Sequence, residues 1–227
     1  MTLKTGSAAS DLRETAEFEA LRRARLLAAL DAAFPDPHCA LDFRNPFQLL
    51  VATVLSAQST DVRVNLATPA LFERYPNAAT LATASVEDVV PFIRTLGLFN
   101  NKSRALVGLA KRLVEVHAGE VPADLEALVA LPGVARKTAN VVLQNAFDRN
   151  EGFVVDTHVA RLAERLGLSR GRTPEAIERD LMSSVPSAAW SRLSHQLILH
   201  GRETCGALRP ACGRCTLVQD CPARGPA

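Results

Sequence analysis

Aromatic residues are scarce in this chain: nine Phe, one Tyr and one Trp make up only 5% of 227 residues. A sequence so poor in ring side chains, with Ala and Leu dominant instead, favours helix over sheet, because strands draw on Val, Ile, Tyr and Phe. No sustained alternation of apolar and polar residues runs between hairpin turns, so the usual signature of β-structure is missing. Nor is there a run of about 18 apolar residues, or an opening charged segment followed by an apolar one, and a soluble, cytoplasmic protein without a membrane partner is expected. Charge of one sign is not in excess: the net charge is +2 and the pI about 8.4, too mild to establish a nucleic-acid partner without local clustering. Lysine is nearly absent, with four Lys against 22 Arg.

What is present is length and apolar content: at 48% hydrophobic, 227 residues can bury a substantial core in one large domain or two small ones. Residues 1–15 are small and polar and are read as a disordered tail. From Glu17 to about Phe34, Phe18, Leu21, Leu26, Leu27 and Leu30 recur near helical spacing, and Pro35 and Pro37 end the pattern. Pro46 opens a second helix to about Gln58, whose unbroken Leu-Leu-Val-Ala-Thr-Val-Leu run implies burial on most sides. Helices are predicted near 60–72, 78–83, 85–95, 101–118, 125–131, 134–147, 157–166, 173–184 and 187–203, with Pro91 kinking or restarting the fifth of the series. The fold class is all-α.

Three features carry chemistry. The first is Lys137 in Leu131-Pro-Gly-Val-Ala-Arg-Lys-Thr-Ala-Asn140. Arg and Lys serve alike as bulk positive charge, but only the lysine amine can lose its proton and form an imine, so a Lys in an Arg-rich chain suggests chemistry. Before it, Gly133 can supply the positive φ of a tight turn between two helices, after which successive N–H groups point outward as a phosphate seat. The second is Asp156 in Val154-Val-Asp-Thr-His158, at the start of another helix. It can be a plain N-cap, and it can also be a rigid carboxylate able to stabilise a developing cation; the two roles are compatible. The third is Cys205, Cys212, Cys215 and Cys221, spaced C-x6-C-x2-C-x5-C, while Cys39 stands alone. In a reducing compartment such clustering points to metal, and by ligand type alone zinc and an iron–sulfur cluster fit equally. Arg209 and Arg214 in this loop and His158 near the acid are candidates for phosphate or sugar contacts, and equally ordinary surface Arg and a half-buried His.

The segment LPGVARKTANVV, followed by VDTH and the cysteine spacing, resembles the endonuclease III family of DNA glycosylases, over roughly residues 17–221. The resemblance implies two helical lobes: a six-helix barrel over 40–150, with a helix-hairpin-helix at about 124–147, and a cluster lobe made of 16–39 and 151–227, its cluster loop at 205–221. It implies a monomer that acts on double-stranded DNA crossing the cleft between the lobes, associated with the nucleoid in a bacterium. Lys137 would be the nucleophile and Asp156 its partner, with Gly133, Val134, Ala135 and Arg136 at the phosphate-gripping hairpin. A [4Fe-4S] cluster would be held by the four Cys. Gln58 in Ser56-Ala-Gln-Ser-Thr-Asp61 and Leu98 in Thr95-Leu-Gly-Leu-Phe-Asn-Asn-Lys102 match residues that fill the gap left by an extruded base. The implied activity is removal of oxidised pyrimidines and β-elimination at the abasic site.

Two departures from the family stand out. Ala135 occupies a position usually held by a second Gly, and would be strained by about 1 kcal/mol if positive φ were needed there. The stretch between Lys137 and Asp156 is one residue longer, a difference assigned to a loop at 148–152. Two rivals are the related adenine glycosylases, which normally lack the Lys and carry a further domain where six residues follow Cys221 here, and a non-enzymatic DNA-binding module with zinc in the cysteine loop.

Overall fold

The computed structural model describes the backbone of residues 7–225 and the side chains of 17–225. Among the described residues there are eleven α-helices and no strand, the one β-bridge joining Cys205 and Pro210. The chain divides into two compact units: an inner unit, residues 38–154, and a terminal unit made of residues 1–37 and 155–227.

The inner unit holds α2 (Pro46–Leu55), α3 (Asp61–Arg74), α4 (Ala78–Ala82), α5 (Val86–Ile93), α6 (Phe99–His117), α7 (Leu125–Val129) and α8 (Arg136–Ala146). At the start of α2, Asn45 accepts from the Gln48 N–H at 2.9 Å and Pro46 occupies the first turn, where its missing donor costs nothing. Leu49, Leu50, Val51, Ala52 and Leu55 are completely buried, so this helix is the unit's centre and needs no polar face. It packs against α3, α6 and α8, while α4 and α5 lie against α6. Reciprocal side-chain caps open α4 at Asn77 and α5 at Ser85. The expected restart at Pro91 does not occur: α5 is continuous through it and ends two residues later, so few downstream turns depend on the missing N–H.

The terminal unit holds α1 (Ser7–Ala33), α9 (Thr157–Arg165), α10 (Pro174–Ser184) and α11 (Trp190–Glu203). The tail expected over residues 1–15 is corrected in part. Residues 1–6 lie outside the described residues, but 7–15 are the opening of α1. Between Ser7 and Phe34 there is no Gly or Pro. A nucleated helix therefore extends through Ala, Leu, Glu and Arg even where polarity suggests disorder. The α11 helix packs on both α9 and α1, and the Trp190 Nε1–H donates to the Val185 carbonyl at 2.8 Å.

Candidate functional site

In the inner unit the hairpin turn lies between α7 and α8. Gly133 has φ +78°, and a Cβ there would come within 2.8 Å of the Ala105 Cβ on α6. Both the left-handed backbone and the close approach of α6 demand glycine. Gly133→Ala is therefore expected to cost about 2 kcal/mol, part from φ and part from displacing Ala105, read as a lower Tm. A wild-type Tm would dismiss this account of the turn.

Val134 is buried and its N–H donates to the Leu131 carbonyl at 3.2 Å, so this amide is spent inside the turn. Ala135, at φ −87° and ψ 165°, is ordinary extended backbone at the N-cap of α8. The strain considered for it does not arise. Having no side-chain acceptor, Ala135 leaves the first turn of α8 uncapped, the condition in which a helix start receives an anion from outside. Arg136 and Lys137 follow, both exposed. The 148–152 loop is well tied down: Gln144 Nε2 donates to the Gly152 carbonyl at 2.7 Å, the Arg149 N–H to the Leu143 carbonyl at 3.0 Å, and the Arg149 guanidinium to the Ala123 carbonyl and Glu151.

Gln58 and Leu98 are exposed, each on a loop of this unit, and both take left-handed backbone, with φ 54° and 59°. A residue bearing a Cβ pays about 1–2 kcal/mol for that conformation, and such outliers concentrate where a chain serves a function. Sequence reading missed Lys102, 5% exposed on α6, whose Nζ donates to Ser59 Oγ at 2.8 Å. Burial pushes its pKa down. The signal that singled out Lys137, a Lys in an Arg-rich chain, applied to it as well.

In the terminal unit Asp156 is the N-cap of α9, its Oδ1 accepting from the His158 and Val159 N–H groups, both at 2.8 Å. His158 is half-buried, with Nδ1 3.2 Å from Arg161 Nη2. It packs beside Gly201 on α11, where a Cβ would fall 3.0 Å from its Nδ1 and 2.9 Å from Arg161 Nη2. The absent side chain is what lets α9 and α11 close on each other.

Two α9 arginines, also missed from sequence, reach the cysteine loop. Arg161 donates to the Cys205 carbonyl at 3.1 Å and the Gly201 carbonyl at 2.9 Å. Arg165 donates to Cys205 Sγ at 3.3 Å and to the Gly206 and Ala207 carbonyls at 2.8 and 2.7 Å. Arg22 on α1 fastens the other end, donating to the Leu166 and Asp220 carbonyls at 2.8 and 3.1 Å. The spacing of 161 and 165, one helical turn apart on one face, was the available clue.

All four cysteines border one cavity of about 170 Å³, together with Arg165, His200 and Pro210. One water needs roughly 10–15 Å³ on the same measure. Burial, with added repulsion from the other cysteines, pushes the Cys215 and Cys221 thiols up. A bound cationic group reverses that balance by favouring thiolates. Among the described residues no group of three or more His, Cys, Asp or Glu is arranged to hold a metal ion. Arg209 is exposed beside Leu208, and Arg214, also exposed, donates to the Glu203 carbonyl at 2.8 Å. No described helix is long and apolar enough to cross a membrane.

Known proteins resemble this chain in both sequence and fold. Residues 51–187 match the model of the HhH-GPD superfamily base excision DNA repair proteins. Endonuclease III of Synechocystis sp. is 49% identical over 201 residues, covering 88% of this chain and 92% of the relative. Endonuclease III of Escherichia coli (strain K12) is 43% identical over 200 residues, 88% of this chain and 94% of the relative. The structure of a trapped endonuclease III–DNA covalent intermediate, an estranged-adenine complex, superposes with a TM-score of 0.85 at 41% identity, covering 90% of this chain and 96% of that one. The chain belongs to the endonuclease III family of the HhH-GPD superfamily.

Proposed function

We propose that this protein is a DNA glycosylase and abasic-site lyase that removes oxidised pyrimidines from double-stranded DNA and then cleaves the strand. The observation that carries the reading is Lys137, an exposed amine in the first turn of α8 immediately after a hairpin turn that only Gly133 can make. The related covalent endonuclease III–DNA intermediate supports an enzyme nucleophile of this kind.

In this scheme the uncapped start of α8, with Ala135 and Arg136, receives a phosphate and holds the strand in register. The damaged nucleotide leaves the stack, and Gln58 and Leu98 occupy the space it vacates. As the N-glycosidic bond breaks, the base departs with the bonding electrons and gains a proton. The Asp156 carboxylate, one oxygen fixed by two backbone N–H groups, stabilises the positive charge that develops on the sugar. Neutral Lys137 attacks C1′, and loss of a proton and opening of the sugar ring give a protonated imine. Loss of the C2′ proton then expels the 3′-phosphate oxygen with its electron pair. Water hydrolyses the imine and frees Lys137.

In this reading the cysteine cavity holds a [4Fe-4S] cluster, one corner each for Cys205, Cys212, Cys215 and Cys221, supported by a space lined by all four cysteines with room for a multi-atom group. When bound, such a cluster supplies a rigid tie and a centre able to exchange electrons, with no vacant position for hydrolysis. In the same reading Arg209 and Arg214, both exposed in the same loop, contact phosphates, and His158, engaged with Arg161, acts by supporting α9. The monomeric protein would need only duplex DNA carrying a damaged base or abasic site.

The test is a duplex with one oxidised pyrimidine, 5-hydroxycytosine or thymine glycol. The expected products are the free base and a strand ending in an unsaturated aldehyde. Base release with an intact abasic strand would instead indicate a monofunctional glycosylase.

A further inference from the structure

Lys102 has no role in the scheme above. It lies in the first turn of α6, buried, with Ser59 Oγ as its hydrogen-bond partner at 2.8 Å. One neutral hydroxyl is poor compensation for an ammonium withdrawn from water, so the arrangement does not serve stability. The chain has again used Lys where it nearly always uses Arg. A thin aliphatic stem ending in a compact head can pass through a packed interior where a planar guanidinium cannot.

The bond joins two particular loops. Ser59 follows Gln58 in the α2–α3 connection, and the Lys102 N–H donates to the Leu98 carbonyl at 3.0 Å, at the end of the α5–α6 connection. The loops abut, since a Cβ on Gly97 would lie 3.5 Å from the Gln58 carbonyl oxygen. Each turns on a left-handed residue with an exposed side chain, Gln58 in one and Leu98 in the other. Strained backbone persists only where the surroundings over-determine it, and Lys102 contacts both loops.

We propose that Lys102 is a positioning residue: its bond to Ser59 locks the Gln58 and Leu98 loops together so that both side chains enter the duplex as one wedge. This rests on the reading of Gln58 and Leu98 as gap-filling residues. The strut makes no DNA contact. It removes the freedom of one loop relative to the other before binding, so the cost of ordering them is not met at the moment the base is extruded.

The test uses a duplex with a tetrahydrofuran abasic analogue opposite 2-aminopurine, and the same duplex undamaged. Lys102→Met keeps the stem and removes the donor, and Ser59→Ala removes the acceptor at a half-buried surface position. Each is expected to lose about tenfold in affinity for the abasic duplex and most of the 2-aminopurine signal, with undamaged-duplex affinity within about twofold of wild type. The double variant should lose no more than the worse single one, and Lys102→Arg should not recover the loss, because its planar head does not fit the buried path to Ser59. Equal losses on both duplexes, or a wild-type signal from Ser59→Ala, would overturn the proposal. Gln58→Ala and Leu98→Ala separate the two levels: if they leave the signal intact, the gap-filling reading falls and the strut with it. If they lose the signal while Lys102→Met and Ser59→Ala keep it, only the strut falls.

Discussion

Lys137→Gln should bind abasic duplex within a few-fold of wild type and lose base excision and strand cleavage by at least about a thousandfold. Glutamine keeps a polar side chain of similar reach in the first turn of α8, where Lys137 is exposed and nothing in the packing depends on it. Its amide nitrogen is not a nucleophile, so no covalent bond to C1′ can form. If Lys137 were mainly a phosphate contact, the result would be different. Affinity would fall together with activity, the salt dependence would flatten by about one unit of slope, and excision by the bound fraction would persist. Quantitative binding in parallel with single-turnover excision distinguishes these outcomes. Preserved binding with lost chemistry supports the nucleophile; joint, modest losses support the contact.

Cys215→Ala should have the second largest effect. Iron content is expected to fall from about four atoms per chain to near zero, and the Tm by roughly 10 °C or more, because a group that binds only the folded state contributes its binding energy to folding. Damage would spread beyond the loop. Arg161, Arg165 and Arg22 fasten the cysteine segment to α9 and α1, and with the cavity contents gone those ties would hold a collapsed loop. Asp156 caps the same helix that carries Arg161 and Arg165, so excision should fall more than duplex binding. Elemental analysis and thermal melting check the prediction together. A wild-type Tm in an iron-free variant would show the cavity to be dispensable, and zinc in the wild-type protein would contradict the cluster.

Much of the helix inventory was legible because local chemistry and burial agree. Pro46 behind Asn45, Ser85 before Asp88, and Asp156 before Thr157 each mark a helix start by a mechanism that acts within four residues. The opening of α1 was not legible, because polarity along 7–15 and unbroken helix propensity give opposite signals. At Ala135 the family comparison suggested strain, but the backbone there is extended, and whether a residue takes positive φ depends on how the turn is closed by its neighbours. Gly133 could be read as a turn glycine; that α6 presses against it through Ala105 could not, since those residues are far apart in sequence.

The candidate site divides in the same way. Lys137, Asp156 and the four Cys stood out because their types and order are chemically restrictive. Lys102, Ser59, Arg161 and Arg165 did not, because each acts through a tertiary contact whose partner lies 40 or more positions away. A lone Lys or Arg on a helix has a solvated surface as its ordinary environment, and only the fold shows that these are half-buried or buried. Val134 shows the opposite limit: a hairpin residue grouped with the phosphate donors spends its N–H on Leu131.

The most direct measurement of the central claim is reduction with borohydride during turnover on oxidised-pyrimidine duplex, followed by proteolysis and mass spectrometry of the protein–DNA adduct. The account predicts a single reduced imine, with the deoxyribose fragment carried as a secondary amine on the Nζ of Lys137. Active protein that yields no adduct, or an adduct on another lysine or on the N-terminal amine, would contradict it.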